Sequence, residues 1–526
     1  MKRRNFLKIP AFAGLAYMVR GLPIRAYAQS PLLQAITRQT QATGRVLVLI
    51  QLNGGNDGLN TIVPLDQYSA LSGLRSNVMV SESKILSLSG IQNTGMHPAM
   101  EDIRNMYNGG LVNIVQGVGY ANPNFSHFRS TDIWTTGSDA DQNLSTGWLG
   151  RYLDLEYPGY PTGYPNNDMP DPPAIQIGTG ISNVLQGSAI NMGYAIANVN
   201  SFYDLVNNSV GPAPNTAAGH ELTFIRNIAQ QTEGYTSIIQ QATSLNTNQG
   251  SYPVNNPLAD QLKIVAQLIA GGLQTSIYVV SLGGFDTHAN QTEGTYNESG
   301  PHAALLRQLS EAVSAFFTDL QGHGIDQRVT AMTFSEFGRR IKSNQSGGTD
   351  HGSAAPLMVF GPNVNPRIIG HNPVISPDTT VNDNIPMQFD YRSVYASVLT
   401  DWFGITPQAV NGVLMHDYPI LPIFRENSAT AVEEITGSIS AADMLGQNYP
   451  NPFSRTATVS FTSKGGTVTL QIFDISGRLV RTVLQKDYIP GRHEVAIDRS
   501  GLAAGNYLYR LTNGSDQATK KMIIID

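Results

Sequence analysis

Cysteine is absent from this chain. That excludes disulfides, thiolate metal sites and cysteine nucleophiles, so any metal must be held by His, Asp, Glu or Asn. Charge is also scarce, at 14% of residues. The net charge of −6 offers no basic footprint for nucleic acid, so no nucleic-acid partner is expected. The apolar run Ile9 to Val19 is too short to span a bilayer as a mature helix. Glycine, serine, threonine and the amides are plentiful instead, which suits a folded exported protein with long loops. A length of 526 residues leaves room for two or three domains.

Residues 1–28 read as a signal peptide. Lys2-Arg3-Arg4-Asn5-Phe6-Leu7-Lys8 is close to a twin-arginine signal, and Ala26-Tyr27-Ala28 offers a cleavage site before Gln29. The twin-arginine export machinery is then an expected partner. The other reading is an ordinary amphipathic first helix.

From Arg45 to Phe403, apolar runs alternate with helical periods. That is the pattern of an α/β protein with a mostly parallel sheet covered on both faces. Residues 29–426 form this domain, and residues 427–444 a linker whose first part, Asn427 to Ser440, is polar and rich in small residues. From there to the end, over residues 445–526, six short alternating strands separated by turn signals predict a β-sandwich.

The densest chemistry lies between Met332 and Pro362. A buried strand ends at Phe334, Glu336 follows, and a polar Gly-rich loop leads to Asp350-His351-Gly352 and a second apolar run. Two other segments carry acids or imidazoles just after strands. Asp57 lies in Asn53-Gly54-Gly55-Asn56-Asp57-Gly58, and Asp286 and His288 lie in Gly283-Gly284-Phe285-Asp286-Thr287-His288. Ligands in α/β proteins collect beyond the carboxyl ends of strands. Asp57, Asp286, His288, Glu336, Asp350 and His351 are therefore expected metal ligands. Grouped carboxylates need a counter-charge, and a divalent cation such as zinc, calcium or magnesium supplies one. For the Met332–Pro362 stretch, the competing reading is a hairpin-like connection with a solvated Asp-His pair.

The nucleophile is sought at Asn124-Phe125-Ser126-His127-Phe128-Arg129. Ser126 sits at a predicted helix start, where free N–H groups favour an anion, and His127 and Arg129 can position or neutralise it. The plainer reading is a Ser cap beside a packed His.

The segments LNGGNDGLN, GYANPNFSHFRSTDIW, GWLGRYLD, GGFDTHANQ and SEFGRR…GGTDHGSAAPLMVFG together resemble the bacterial family called domain of unknown function 1501. The resemblance implies an alkaline-phosphatase-like α/β/α sandwich of the phosphatase and sulfatase superfamily. It matches His351 to a late zinc-binding His, Asp57 to a first metal-binding Asp, and Asp286 with His288 to an Asp/His zinc segment. Glu336-Phe337 stands where that superfamily has an Asp-His pair, and its Cys- or Ser-x-Pro-x-Arg signature is absent.

The tail resembles the C-terminal sorting domain of type IX secretion. The resemblance rests on Gln447-Asn448-Tyr449-Pro450-Asn451-Pro452-Phe453, VTLQIFDISGRLV and LAAGNYLYRL. It implies an Ig-like β-sandwich read by the outer-membrane machinery, with delivery through the periplasm to the surface or medium. A carbohydrate-binding sandwich is the alternative for this tail. Together these features lead to the expectation of an exported, metal-dependent hydrolase of phosphate or sulfate esters, with a small-molecule or glycan ester as substrate. The competing class is a non-catalytic surface protein that retains the fold.

Overall fold

A computed structural model describes residues 44–196, 235–244, 247–293, 298–425 and most of 444–525. The expected signal peptide and nearly all of the expected linker lie outside the described residues, as does most of Glu221 to Leu245, whose periodicity predicts a helix. Two compact units divide after Asn427.

The first unit is built on one nine-stranded sheet. Its central strand is Val46–Leu52, seven residues of which all but Gln51 are apolar. Alternate side chains point to opposite faces. Val46, Val48 and Ile50 enter one core, and Leu47 and Leu49 enter the other. Both faces of the strand are therefore dry, which is why it reads as a continuous apolar run instead of an alternating one. Truncating Leu49, which is fully buried, to Ala would cost about 2–5 kcal/mol.

Val46–Leu52 pairs in parallel with Ile277–Leu282 on one side and Val329–Phe334 on the other. Beyond Ile277–Leu282 lie Ala174–Ile177 and Gly193–Ile196, also parallel. The sequence does not announce these two strands of four residues each, because short runs inside Gly- and Pro-rich sequence carry little periodic signal. Beyond Val329–Phe334 lie Ala355–Phe360 and then Val112–Gly119. Ala355–Phe360 is antiparallel to both neighbours. Its amino end therefore lies at the same sheet edge as the carboxyl ends of the others.

The long helices Pro257–Ala270 and Pro301–Gly322 cover one face, and Trp148–Glu156 and Tyr391–Ser397 lie on the other. Asn256 caps the first of these with its side chain, accepting from Leu258 and Ala259 N–H groups, and Pro257 fits the first turn. The loop expected before Asp350 is the bend of an antiparallel hairpin, Arg339–Ser343 with Thr349–His351.

The second unit holds a two-stranded pair, Thr456–Ser463 with Gly491–Asp498, and a four-stranded antiparallel sheet. Phe461, Val468, Leu470, Tyr509, Leu511 and Met522 belong to its own buried core. The alternating pattern of the sequence is realised as a β-sandwich. No helix among the described residues is long and apolar enough to cross a membrane.

Candidate metal centre

Two turns bring the ligand segments together at the carboxyl edge of the sheet. The turn after the strand Val46–Leu52 contains Gly54, whose φ is 122°. A Cβ there would lie 2.2 Å from the Asp286 backbone N, so only glycine lets these two strand-end loops touch. At the hairpin, a Cβ on Gly348 would lie 2.3 Å from the His288 carbonyl carbon. Both contacts press the segment Phe285 to His288 between the first turn and the hairpin.

Four side chains converge there. Asp286 Oδ1 lies 3.3 Å from His288 Nε2 and 3.2 Å from His351 Nε2. Asp286 Oδ2 lies 3.5 Å from His127 Nε2. The two nitrogens His288 Nε2 and His351 Nε2 face each other at 2.8 Å. Ligand atoms of His127, Asp286 and His351 all fall within 4.8 Å of one another.

The other ring nitrogen of each imidazole is already committed. His127 Nδ1 lies 2.8 Å from Glu336 Oε1, which also accepts the Gly54 N–H at 2.9 Å. His288 Nδ1 lies 3.1 Å from Asp350 Oδ1, which accepts from Asn344 Nδ2 as well. His351 Nδ1 lies 2.7 Å from the Phe125 carbonyl oxygen. Carboxylates and a carbonyl only accept, so each Nδ1 carries the proton. In the neutral imidazoles, three Nε2 lone pairs and one carboxylate then point at one another. Such lone pairs repel unless a cation stands among them, and donation of the distal N–H to a carboxylate or carbonyl is the usual support of a metal-bound His. Ligand atoms about 2.0–2.1 Å from a tetrahedral zinc are roughly 3.3 Å apart, close to the spacings seen here. The donor set therefore fits a cation.

Electrostatics favour the ligating states. Burial pushes the Asp286 carboxyl up, but the hydrogen bond from Arg339 Nη2 at 2.8 Å and the histidines outweigh it and hold its pKa at about 2. Burial lowers the pKa of His351, and its bonds to Phe125 and Asp286 do not fully offset this. Arg339 is fully buried and also donates to the carbonyls of Gly54, Gly55, Phe285 and Thr349. It therefore fixes the Asp286 carboxylate against the backbone of three segments.

The residues singled out in the sequence divide into three sets. Asp286, His288 and His351 come together. Glu336 and Asp350 do not face the cluster centre as ligands: each holds the far nitrogen of an imidazole. Asp57 is placed apart from the cluster. It is buried in an ion pair with Arg75, and it also accepts from Asn60 Nδ2 at 2.7 Å and Gln291 Nε2 at 2.6 Å. Burial raises the Asp57 pKa, but Arg75 and these donors leave it lowered.

His127, read as a helper for an anion, is instead part of the metal-candidate group. The signal that could have marked it is its place after the strand Val112–Gly119, which ends at the same edge. Ser126 occupies the cap of the helix His127–Thr136, but its side chain accepts no cap hydrogen bond and stands exposed beside His127. Arg129 pairs with Asp132 and donates to the carbonyls of Asp139, Ala140 and Gln142, so it holds that loop and is not available to an anion.

An open cleft of about 730 Å³ lies over His127, Asp286 and Glu336. Fold and site together define an α/β protein with a histidine–carboxylate cluster at the carboxyl edge of a mostly parallel sheet, followed by a separate β-sandwich. The chain belongs to the family described as "Protein of unknown function (DUF1501)", which it matches over residues 114–414. Residues 447–525 match the secretion system C-terminal sorting domain. This tail marks the chain for type IX export to the cell surface or medium.

Among solved structures, the chain is similar to a protein in the alkaline phosphatase superfamily from Vibrio parahaemolyticus. They share 8% identity over 94% of this chain and 91% of that one, with a TM-score of 0.34. A phosphonate monoester hydrolase from Silicibacter pomeroyi matches at 8% identity over 91% and 89%, with a TM-score of 0.32. PorZ, a surface component of the type IX secretion system of Porphyromonas gingivalis, matches at 21% identity and a TM-score of 0.14. That last match spans 17% of this chain and only 13% of PorZ. No curated protein matches the chain.

Proposed function

We propose that this chain is an exported metal-dependent hydrolase of phosphate or sulfate esters, with the cation held by His127, Asp286, His288 and His351. The observation that carries the reading is the orientation of the three imidazoles. Each has its Nδ1 proton engaged by Glu336, Asp350 or the Phe125 carbonyl, and each Nε2 faces Asp286 or another Nε2. A structural packing role would not require three lone pairs to be aimed at one carboxylate.

A divalent cation at such a site supplies Lewis acidity and lowers the pKa of a hydroxyl or water beside it. The protein's own contribution is positional. Arg339 keeps Asp286 ionised and fixed, Glu336 and Asp350 hold the ring planes, and the cleft admits the ester. Ser126 offers an uncommitted hydroxyl at the first turn of the helix His127–Thr136, where unpaired N–H groups favour an anion. We assign it as the nucleophile.

Elemental analysis of the purified protein and a screen of aryl phosphate and aryl sulfate esters test the reading. A stoichiometric divalent metal and metal-dependent turnover are expected. Metal without turnover on any ester would leave the second reading, a surface protein with a structural cation. Export by the twin-arginine route belongs to the same proposal, resting on Arg3 and Arg4.

A further inference from the structure

The cleft over the cluster has an unusual lining for a protein acting on anionic esters. Its ionisable lining side chains are His127, Asp132, Asp286 and Glu336, and no Lys or Arg among the described residues lines it. Asp132 is paired with Arg129, whose remaining donors go to carbonyls. Beyond the candidate metal centre, the described lining holds no cationic side chain to receive a second anionic group. A polysulfated or polyphosphorylated ligand would enter a cleft whose fixed charges are acidic.

Most of the rest of the lining is neutral and polar, with Phe128 and Ile181 as its large apolar side chains. Gln51, Asn53, Asn183, Ser281 and Thr131 line the cleft, and their side chains make no hydrogen bond to any described residue. Each amide offers donors and an acceptor, and each hydroxyl offers both. That mixture matches the hydroxyl groups of a sugar, which also donate and accept. Among them stands Phe128, 91% exposed, against 36% for Phe125. One exposed aromatic is unremarkable on a surface. Here the ring lines the cleft and directly follows His127 in the chain. An aromatic face beside unsatisfied amides suits a ligand with an apolar ring face and a polar rim.

We propose that this cleft takes an uncharged sugar residue as the alcohol part of its ligand, with Phe128 as the stacking face and Gln51, Asn53, Asn183 and Ser281 as hydrogen-bonding contacts. The inference rests on the reading of the cleft over His127 and Asp286 as the substrate site.

The test is calorimetric titration of the full chain with cellohexaose, xylohexaose, mannohexaose and laminarihexaose, beside a chondroitin sulfate hexasaccharide. At least one neutral oligosaccharide is expected to bind more tightly than the sulfated one. Phe128→Ala should weaken that binding roughly tenfold, with melting temperature and metal content unchanged. Gln51→Ala should weaken it as well. Absence of neutral-sugar binding at about 10 mM, tighter binding of the sulfated chain, or wild-type affinity in Phe128→Ala overturns the proposal. A large fall in melting temperature on Phe128→Ala would show the ring packing against the chain itself and would also overturn it. Metal content of the same preparations separates the two readings. Metal without sugar binding defeats only this inference, and sugar binding without metal defeats only the metal assignment.

Discussion

His288 Nε2 and His351 Nε2 stand 2.8 Å apart, each with its opposite ring nitrogen bonded to an acceptor. Two imidazoles held in this way cannot both present lone pairs to each other at low cost. The arrangement is relieved by a cation between them or by a shared proton, and the Asp286 carboxylate beside both favours either positive charge. The first two predictions separate these possibilities.

His351→Ala and Asp286→Ala should each abolish bound metal, and His127→Ala should lower it strongly. A metal that binds only the folded state at about a hundredfold excess over its Kd stabilises by about 2.7 kcal/mol. Addition of zinc should therefore raise the wild-type melting temperature and leave that of His351→Ala unchanged. Equal responses to zinc in the two proteins would sink the ligand assignment.

Glu336→Gln should keep the metal but weaken its affinity about 10–100-fold, because the neutral amide oxygen still accepts from His127 Nδ1 but no longer polarises it. A complete loss of metal would instead make Glu336 a ligand. Competition with a chelator of known affinity gives the number.

Asp57→Ala should destabilise the first unit by about 3–5 kcal/mol, since it leaves the fully buried Arg75 guanidinium without its partner. Metal affinity of the folded fraction should not change. Urea unfolding in parallel with metal titration checks both halves. Metal loss with unaltered stability would return Asp57 to the ligand set.

Acid should weaken the first unit before its carboxylates titrate. His302 is fully buried, against Phe285 and Asn56. Burial holds its pKa down at about 4, from an ordinary 6.5, despite the nearby Asp57 charge. Above pH 6.5 neither folded nor unfolded state binds the proton. Between 6.5 and 4 only the unfolded state does, so stability falls with pH through that window, by about 3 kcal/mol at about 1.4 kcal/mol per unit. Asp57, with its lowered pKa, adds a further loss below the ordinary carboxylate range. Melting temperatures in chelator from pH 7.5 to 4 should show the decline, and His302→Gln should flatten it. An unchanged slope in that variant would show that His302 is not the group responsible.

Ser126→Ala should leave melting temperature and metal content alone, because its side chain accepts no cap hydrogen bond. Turnover of a responsive ester should drop by roughly 100-fold or more. Wild-type turnover would pass the nucleophile's role to water.

The sheet and the sandwich are legible in the residues alone. Runs such as Val46–Leu52 and Val329–Phe334 are too apolar to be anything but doubly covered strands, and the tail's alternation needs one buried face. Strand ends also located Asp286, His288 and His351, because parallel strands deliver their C-terminal loops to one edge. Local pattern did not show that Ala355–Phe360 runs antiparallel, since an apolar run carries no sign of its direction. Nor did it separate the candidate ligands from the residues that hold them. That depends on which ring nitrogen meets which acceptor, and those acceptors are distant in the chain. Glu336 lies 209 residues from His127, and Phe125 lies 226 from His351. Asp57 looked like a ligand because it sits after a strand and a Gly-rich turn, yet Arg75, 18 residues on, folds back to take its charge. Hydrophobic periodicity is a local property and survives in the sequence. The direction of a lone pair is set by contacts between segments that meet only when the sheet has formed.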